Sequence, residues 1–278
     1  MARALAILSA AVLVVCAPAL VASAAGTLPP HNPKHNVAPV PNYDSGSCTM
    51  VGTTLKCTNP CIVKGSFPVF SSSPGCTSYV LRALDAARRL EHVGAMRLPS
   101  DWQRLTPAEQ LFVLADLERV GRGLPPYIGL NTALDKNAQY AAEHDEDPTI
   151  ASGFPIGLDA EGYYGMGGAW ADAFSTLTAD YGWMYYDGWG GPHDTFNIAC
   201  TSATAAGCWA HRDELLGYDP RFNPGVGLYC RNCEMGTGFA IVRHAASFVD
   251  LVELPRQGAH PPVTFSWAKD VVPYLPKR

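Results

Sequence analysis

Charge is sparse in this 278-residue chain, at 16% of the sequence, and its 20 Lys and Arg residues never gather into a basic stripe. Nucleic acid is therefore not an expected partner, because phosphate recognition needs a cationic face. No Gly-x-Ser-x-Gly elbow occurs, which removes one common way of presenting a nucleophilic serine. No internal repeat is visible, so a solenoid or propeller is not expected. Beyond the first two dozen residues, no apolar run is long enough to span a bilayer.

What is present begins with an export pattern. Arg3 gives a positive start, Leu5 to Leu20 is almost wholly apolar, and Ala22-Ser23-Ala24 supplies small residues for cleavage. Residues 1–24 read as a signal peptide, and a secreted, extracellular location follows as an expectation. Cys16 invites a lipoprotein reading, but Val15 stands where that processing needs a small residue.

Of the nine cysteines, Cys16 falls in this segment. The other eight are Cys48, Cys57, Cys61, Cys76, Cys200, Cys208, Cys230 and Cys233, an even set that suits disulfides in an oxidising compartment. Their clustering predicts the pairs Cys48–Cys57, Cys61–Cys76, Cys200–Cys208 and Cys230–Cys233. This also leaves no spare thiol as a nucleophile. Zinc at Cys230-Arg-Asn-Cys233 would need a second such pair, which is missing.

Residues 25–47, rich in Pro, Asn and His, read as a disordered leader. Residues 48–100 read as a small cysteine-bearing module followed by a helix, Tyr79 to Ala95. Residues 101–278 read as the main domain. Thr106-Pro107-Ala108-Glu109 is a capping box opening a helix that Gly121 closes. A second helix runs from Asn131 to before Pro148, and Trp170, Phe174, Leu177, Tyr181 and Met184 recur at helical intervals. A short helix carries Trp209 to Leu216. Strand-like runs follow at Gly225–Tyr229, Phe239–Arg243, Ser247–Leu254 and Val263–Trp267. Helices first and strands later predict an α+β domain without βαβ alternation.

Three stretches carry a resemblance. Glu109 to Arg119 with Gly123-Leu124-Pro125-Pro126 resembles an opening family helix, with Glu118 where Asn is common. Leu134 to His144 resembles a second helix ending on His. Gly207 to Leu216, with Gly225-Val226-Gly227 downstream, resembles a His-Arg helix and its following strand. Together they are similar to the CAP superfamily, also called SCP-like or cysteine-rich secretory protein domains, in its secreted bacterial form.

The resemblance implies a three-layer α-β-α sandwich with a central antiparallel sheet. It also implies a cleft in which His144 and His211 occupy the two histidine positions, and in many members such a pair helps to hold a divalent cation such as zinc. Gly168 stands in place of the family glutamate, and Asp187 is the candidate for the other carboxylate. On this basis the expected function is extracellular binding of lipid or envelope components. The alternative is a metal-assisted or carboxylate-driven hydrolase of cell-wall material or peptide. The resemblance fixes neither a cofactor nor catalysis.

Blander readings stand beside these. His211 in a first helical turn can simply orient a loop, and His144 among Glu143, Asp145 and Glu146 can be solvated. Asp180, Asp187 and Glu161 could form a glycosidase pair, whereas His193 and Asp194 suit a turn. The aromatic cluster Trp183, Tyr185, Tyr186 and Trp189 fits a core better than a ligand platform.

Overall fold

The computed structural model describes residues 32–33, 35–37, 48–51, 54–57, 59–61, 71–148, 163–192, 197–218, 230, 232–243, 245–255 and 262–277. The signal segment, Glu161, His193, Asp194 and the expected strand Gly225–Tyr229 lie outside these residues.

The helix opened by the capping box organises the fold. In α2, Pro107–Gly121, the Glu109 amide donates to Thr106 Oγ1 (3.3 Å) while the Thr106 amide donates to Glu109 Oε2 (2.7 Å). Two amides with no partner inside the helix are thereby satisfied. Every residue from Gln110 to Arg119 is buried, so α2 is a central helix rather than an amphipathic surface one.

Around it stand α1, Pro74–Leu90, and α4, Thr176–Tyr185. The start of α1 precedes the expected Tyr79, because Ser73 caps Cys76 and Pro74 occupies the first turn. The aromatic series also divides. Trp170 lies in strand β4, Tyr163–Asp172, and α4 begins only after Ser175 and Thr178 form a second capping box. The helical spacing from Trp170 to Phe174 therefore crosses an element boundary.

The main sheet has the order β4-β6-β5-β3-β7, with β3 at Gly129–Asn131, β5 at Glu234–Val242, β6 at Ala245–Pro255 and β7 at Val263–Ser266. The class is α+β, as the element order predicts. Pairing is antiparallel along β4–β6–β5 and in β3–β7, but β3 joins β5 in parallel through Leu130 and Met235, so the sheet is mixed.

Strand alternation puts apolar residues on both faces. Phe248 and Val252 enter the large core with α1, α2 and α4. Val249 and Leu251 instead pack against Leu134, Ala138, Ala141 and Ala142 of α3, Thr132–His144. Gly236 and Gly238 on β5 permit this approach. A Cβ at Gly238 would run into the α3 backbone, within 2.6 Å of the Gln139 nitrogen.

A separate hairpin, β1 at Cys48–Val51 and β2 at Thr54–Cys57, places Cys48 and Cys57 as register partners; their side chains lie outside the described residues. The disulfides Cys61–Cys76, Cys200–Cys208 and Cys230–Cys233 join as expected. Among the described residues, no helix is long and apolar enough to cross a membrane.

Candidate functional site

The site is built where the loop after α4 meets the short helix α5, Ala210–Leu215. This helix has no side-chain cap of its own, since Trp209 at the cap position sits in the left-handed region at φ 65°. Asp187 supplies the missing acceptor from the other loop. Its Oδ2 takes the amides of His211 (3.0 Å) and Arg212 (3.2 Å). Its Oδ1 lies 2.7 Å from His211 Nδ1 and accepts from Asn197 Nδ2, also at 2.7 Å.

Asn197 further donates to the carbonyls of Asp187 and Gly207, and the Cys200–Cys208 disulfide closes the same loop. Asp187 is fully buried and His211 is fixed by it. Because a carboxylate can only accept, His211 Nδ1 carries the proton and Nε2 is the working nitrogen. Nε2 makes no hydrogen bond among the described residues. It faces Asp147 Oδ1 at 3.9 Å, a gap too long for a direct hydrogen bond, and 19% of the imidazole side chain is open to solvent.

Burial alone would depress the His211 pKa, but the hydrogen bond and charge of Asp187, with Asp147 and Asp250 adding, hold it above its ordinary value. Asp187 is itself raised by burial, against the lowering pull of His211.

A second pair lies beneath. Glu214 is one helical turn beyond His211 on α5, which places both on one face. Its side chain crosses above Gly167 of β4, where a Cβ would stand 2.8 Å from Glu214 Cγ. Asp250 on β6 accepts the Ala169 amide at 3.2 Å. Burial first, then the charge of Asp250 and a hydrogen bond to it, push the Glu214 carboxyl well above its usual range. Burial also raises Asp250 to about 7, although the Glu214 hydrogen bond and His211 pull it down. Burial therefore favours the protonated form of both carboxyls.

Arg212 anchors α5 from behind. Buried, it donates to the Met184 carbonyl and to Glu91 Oε2 (2.9 Å), and its guanidinium lies 5.8 Å from the ring centroids of both Trp209 and Tyr185.

The expected residues fare differently. His211 and Asp187 form the centre of the site. His144 lies exposed on the last turn of α3, bonded through Nδ1 to the Tyr140 carbonyl (2.7 Å) and stacked on the Tyr140 ring at 3.9 Å. The two histidines thus have different partners. No group of three or more His, Cys, Asp and Glu is arranged to hold a metal ion among the described residues. Asp180 is buried beside Glu118, and Trp183 and Tyr185 are core residues, while Trp189 is half-buried. Sequence reasoning missed Glu214 and Asp250 as a pair. The available signals were the one-turn spacing from His211 and the two carboxylates, Asp250 and Glu253, within the apolar run of β6.

These carboxyls set a pH dependence of stability. With Glu214 and Asp250 raised, and Asp172 raised to about 6 by burial and Asp145, the folded chain holds protons that the unfolded chain has already released. His211 acts in the same direction above its ordinary pKa. Stability is expected to fall as pH rises from about 5 to about 8. Thermal melts across that range, with Asp250→Asn flattening the slope, check this; a melting temperature that climbs with pH would contradict it.

The chain matches no family model and no curated protein.

Proposed function

We propose that the chain is an extracellular protein of CAP type that works as a hydrolase, with His211 as general base. One observation carries the reading: a histidine pinned at Nδ1 by a buried carboxylate keeps its ring partly open to solvent. A histidine whose proton is held on one ring nitrogen presents the other as a base near neutral pH.

In the reaction, Nε2 takes a proton from water and the resulting hydroxide oxygen attacks the scissile centre. The imidazolium, stabilised by Asp187, then gives that proton to the leaving group. Cell-wall material and peptide are the substrate classes that the resemblance offers. Three disulfides and the export pattern support an extracellular setting.

A panel of wall fragments and peptides, incubated with the purified chain, tests this. Turnover is expected, and His211→Ala should lower it by about 10²–10⁴-fold. No turnover on any substrate would end the enzyme reading and leave extracellular binding in its place.

A further inference from the structure

Before the first hairpin, Asn36 and Val37 touch the molecule beside this site. The Val37 amide donates to the Tyr185 carbonyl at the end of α4 (2.8 Å), and Tyr181 OH donates to the Val37 carbonyl. The Val37 side chain packs against the large core. One residue earlier, Asn36 Oδ1 accepts the Gly188 amide at 2.6 Å.

Gly188 directly follows Asp187, and its position is crowded. A Cβ there would meet the Trp209 ring and stand 2.8 Å from Asn36 Oδ1. Trp209 in turn donates its amide to the Asp187 carbonyl at 3.0 Å. The peptide that carries the Asp187 carboxylate is thus held from one side by Asn36 and from the other by Trp209 and Asn197.

We infer that Asn36 is a positioning residue of the His211 site, and that the segment Asn36–Val37 is a strap setting the Asp187–His211 pair. The inference rests on the reading of His211 as the working residue. Its physical basis is that an Asp–His hydrogen bond depends steeply on alignment. The Gly188 amide sits one peptide away from the carboxylate that must be aligned. Val37 supplies the anchoring by core packing and backbone pairing, and Asn36 supplies the contact to the loop. The strap follows the expected signal-peptide cleavage site, so it stays with the exported chain on that expectation.

The test follows His211 by NMR in the whole chain. Asn36→Ala should lower the His211 titration midpoint by about 0.5–1 pH unit, because Asp187 no longer aligns to offset burial. Asn36→Asp keeps an acceptor oxygen and should keep the midpoint at or above the native one. An unchanged midpoint in Asn36→Ala overturns the inference, as does a shift that Asn36→Asp fails to restore. Should Asn36→Ala not fold, exchange of the Gly188 amide in the native chain decides: marked protection is expected, and exchange as an open amide overturns it. Turnover is read separately, so an inactive chain whose His211 midpoint still responds would sink the hydrolase while leaving the strap intact.

Discussion

Glu118→Gln is expected to destabilise the fold by about 3–5 kcal/mol, the range for removing one partner from a buried ion pair. Glu118 has no exposed surface. Arg88 Nη1 lies 2.6 Å from its Oε2, Arg122 Nη1 pairs with the same oxygen, and Tyr185 OH reaches both oxygens at 3.0–3.1 Å. Burial works against its ionised form, but the two guanidiniums outweigh burial and hold the Glu118 pKa below the ordinary value.

Glutamine would leave Arg88 in the interior with only the carbonyls of Gly94 (2.7 Å) and Leu117 (3.5 Å), and would leave Arg122 the Glu91 carboxylate (2.7 Å) that it shares with Arg212 (2.9 Å). For a chain of this size the loss corresponds to about 6–20 °C in melting temperature. Asp180→Asn supplies the contrast. Burial, then the Glu118 charge, hold Asp180 protonated well above its usual range, so replacing it with another neutral group should cost under about 1 kcal/mol. Comparable losses in the two variants would contradict this account of the cluster.

Asp187→Asn is expected to leave the chain folded and to cost about 10²–10⁴-fold in turnover. The substitution keeps the shape but removes the charge that stabilises the imidazolium. It also exchanges one accepting oxygen for a donating NH₂, while four donors point at the two oxygens, from His211 Nδ1, Asn197 Nδ2 and the His211 and Arg212 amides. An NH₂ group facing Nδ1 would favour the tautomer with its proton on Nε2, which removes the base. The His211 pKa should drop below the native value, because burial depresses it and the main opposing influence is gone. A variant with full turnover would show that Asp187 only holds the loop.

Local features were readable from sequence because they are local. Thr106-Pro107-Ala108-Glu109 specifies its own helix start. Cys61–Cys76, Cys200–Cys208 and Cys230–Cys233 each join near neighbours in the chain. His211 and Asp187 stood out as residue types, although nothing local says that they meet across the loop.

Strand β4 was hidden by its glycines. Gly165, Gly167 and Gly168 lower β propensity, yet the strand forms because β6 offers it a long antiparallel edge. Gly168 lies in this strand, and at the neighbouring Gly167 the Glu214 side chain fills the space where a Cβ would project. The Glu214–Asp250 pair needs α5 and β6 to be packed together before it exists. Asn36 lies in a stretch rich in Pro, Asn and His whose composition predicts no structure, and its contact depends on an acceptor oxygen meeting one loop amide.

The central claim is that Asp187 fixes His211 with its proton on Nδ1 and a raised pKa. A pH titration of the His211 ring by ¹⁵N NMR in the native chain measures both at once. The account predicts a midpoint above 6.5, with the neutral ring protonated on Nδ1. A midpoint at or below 6.5, or a neutral ring protonated on Nε2, would contradict it.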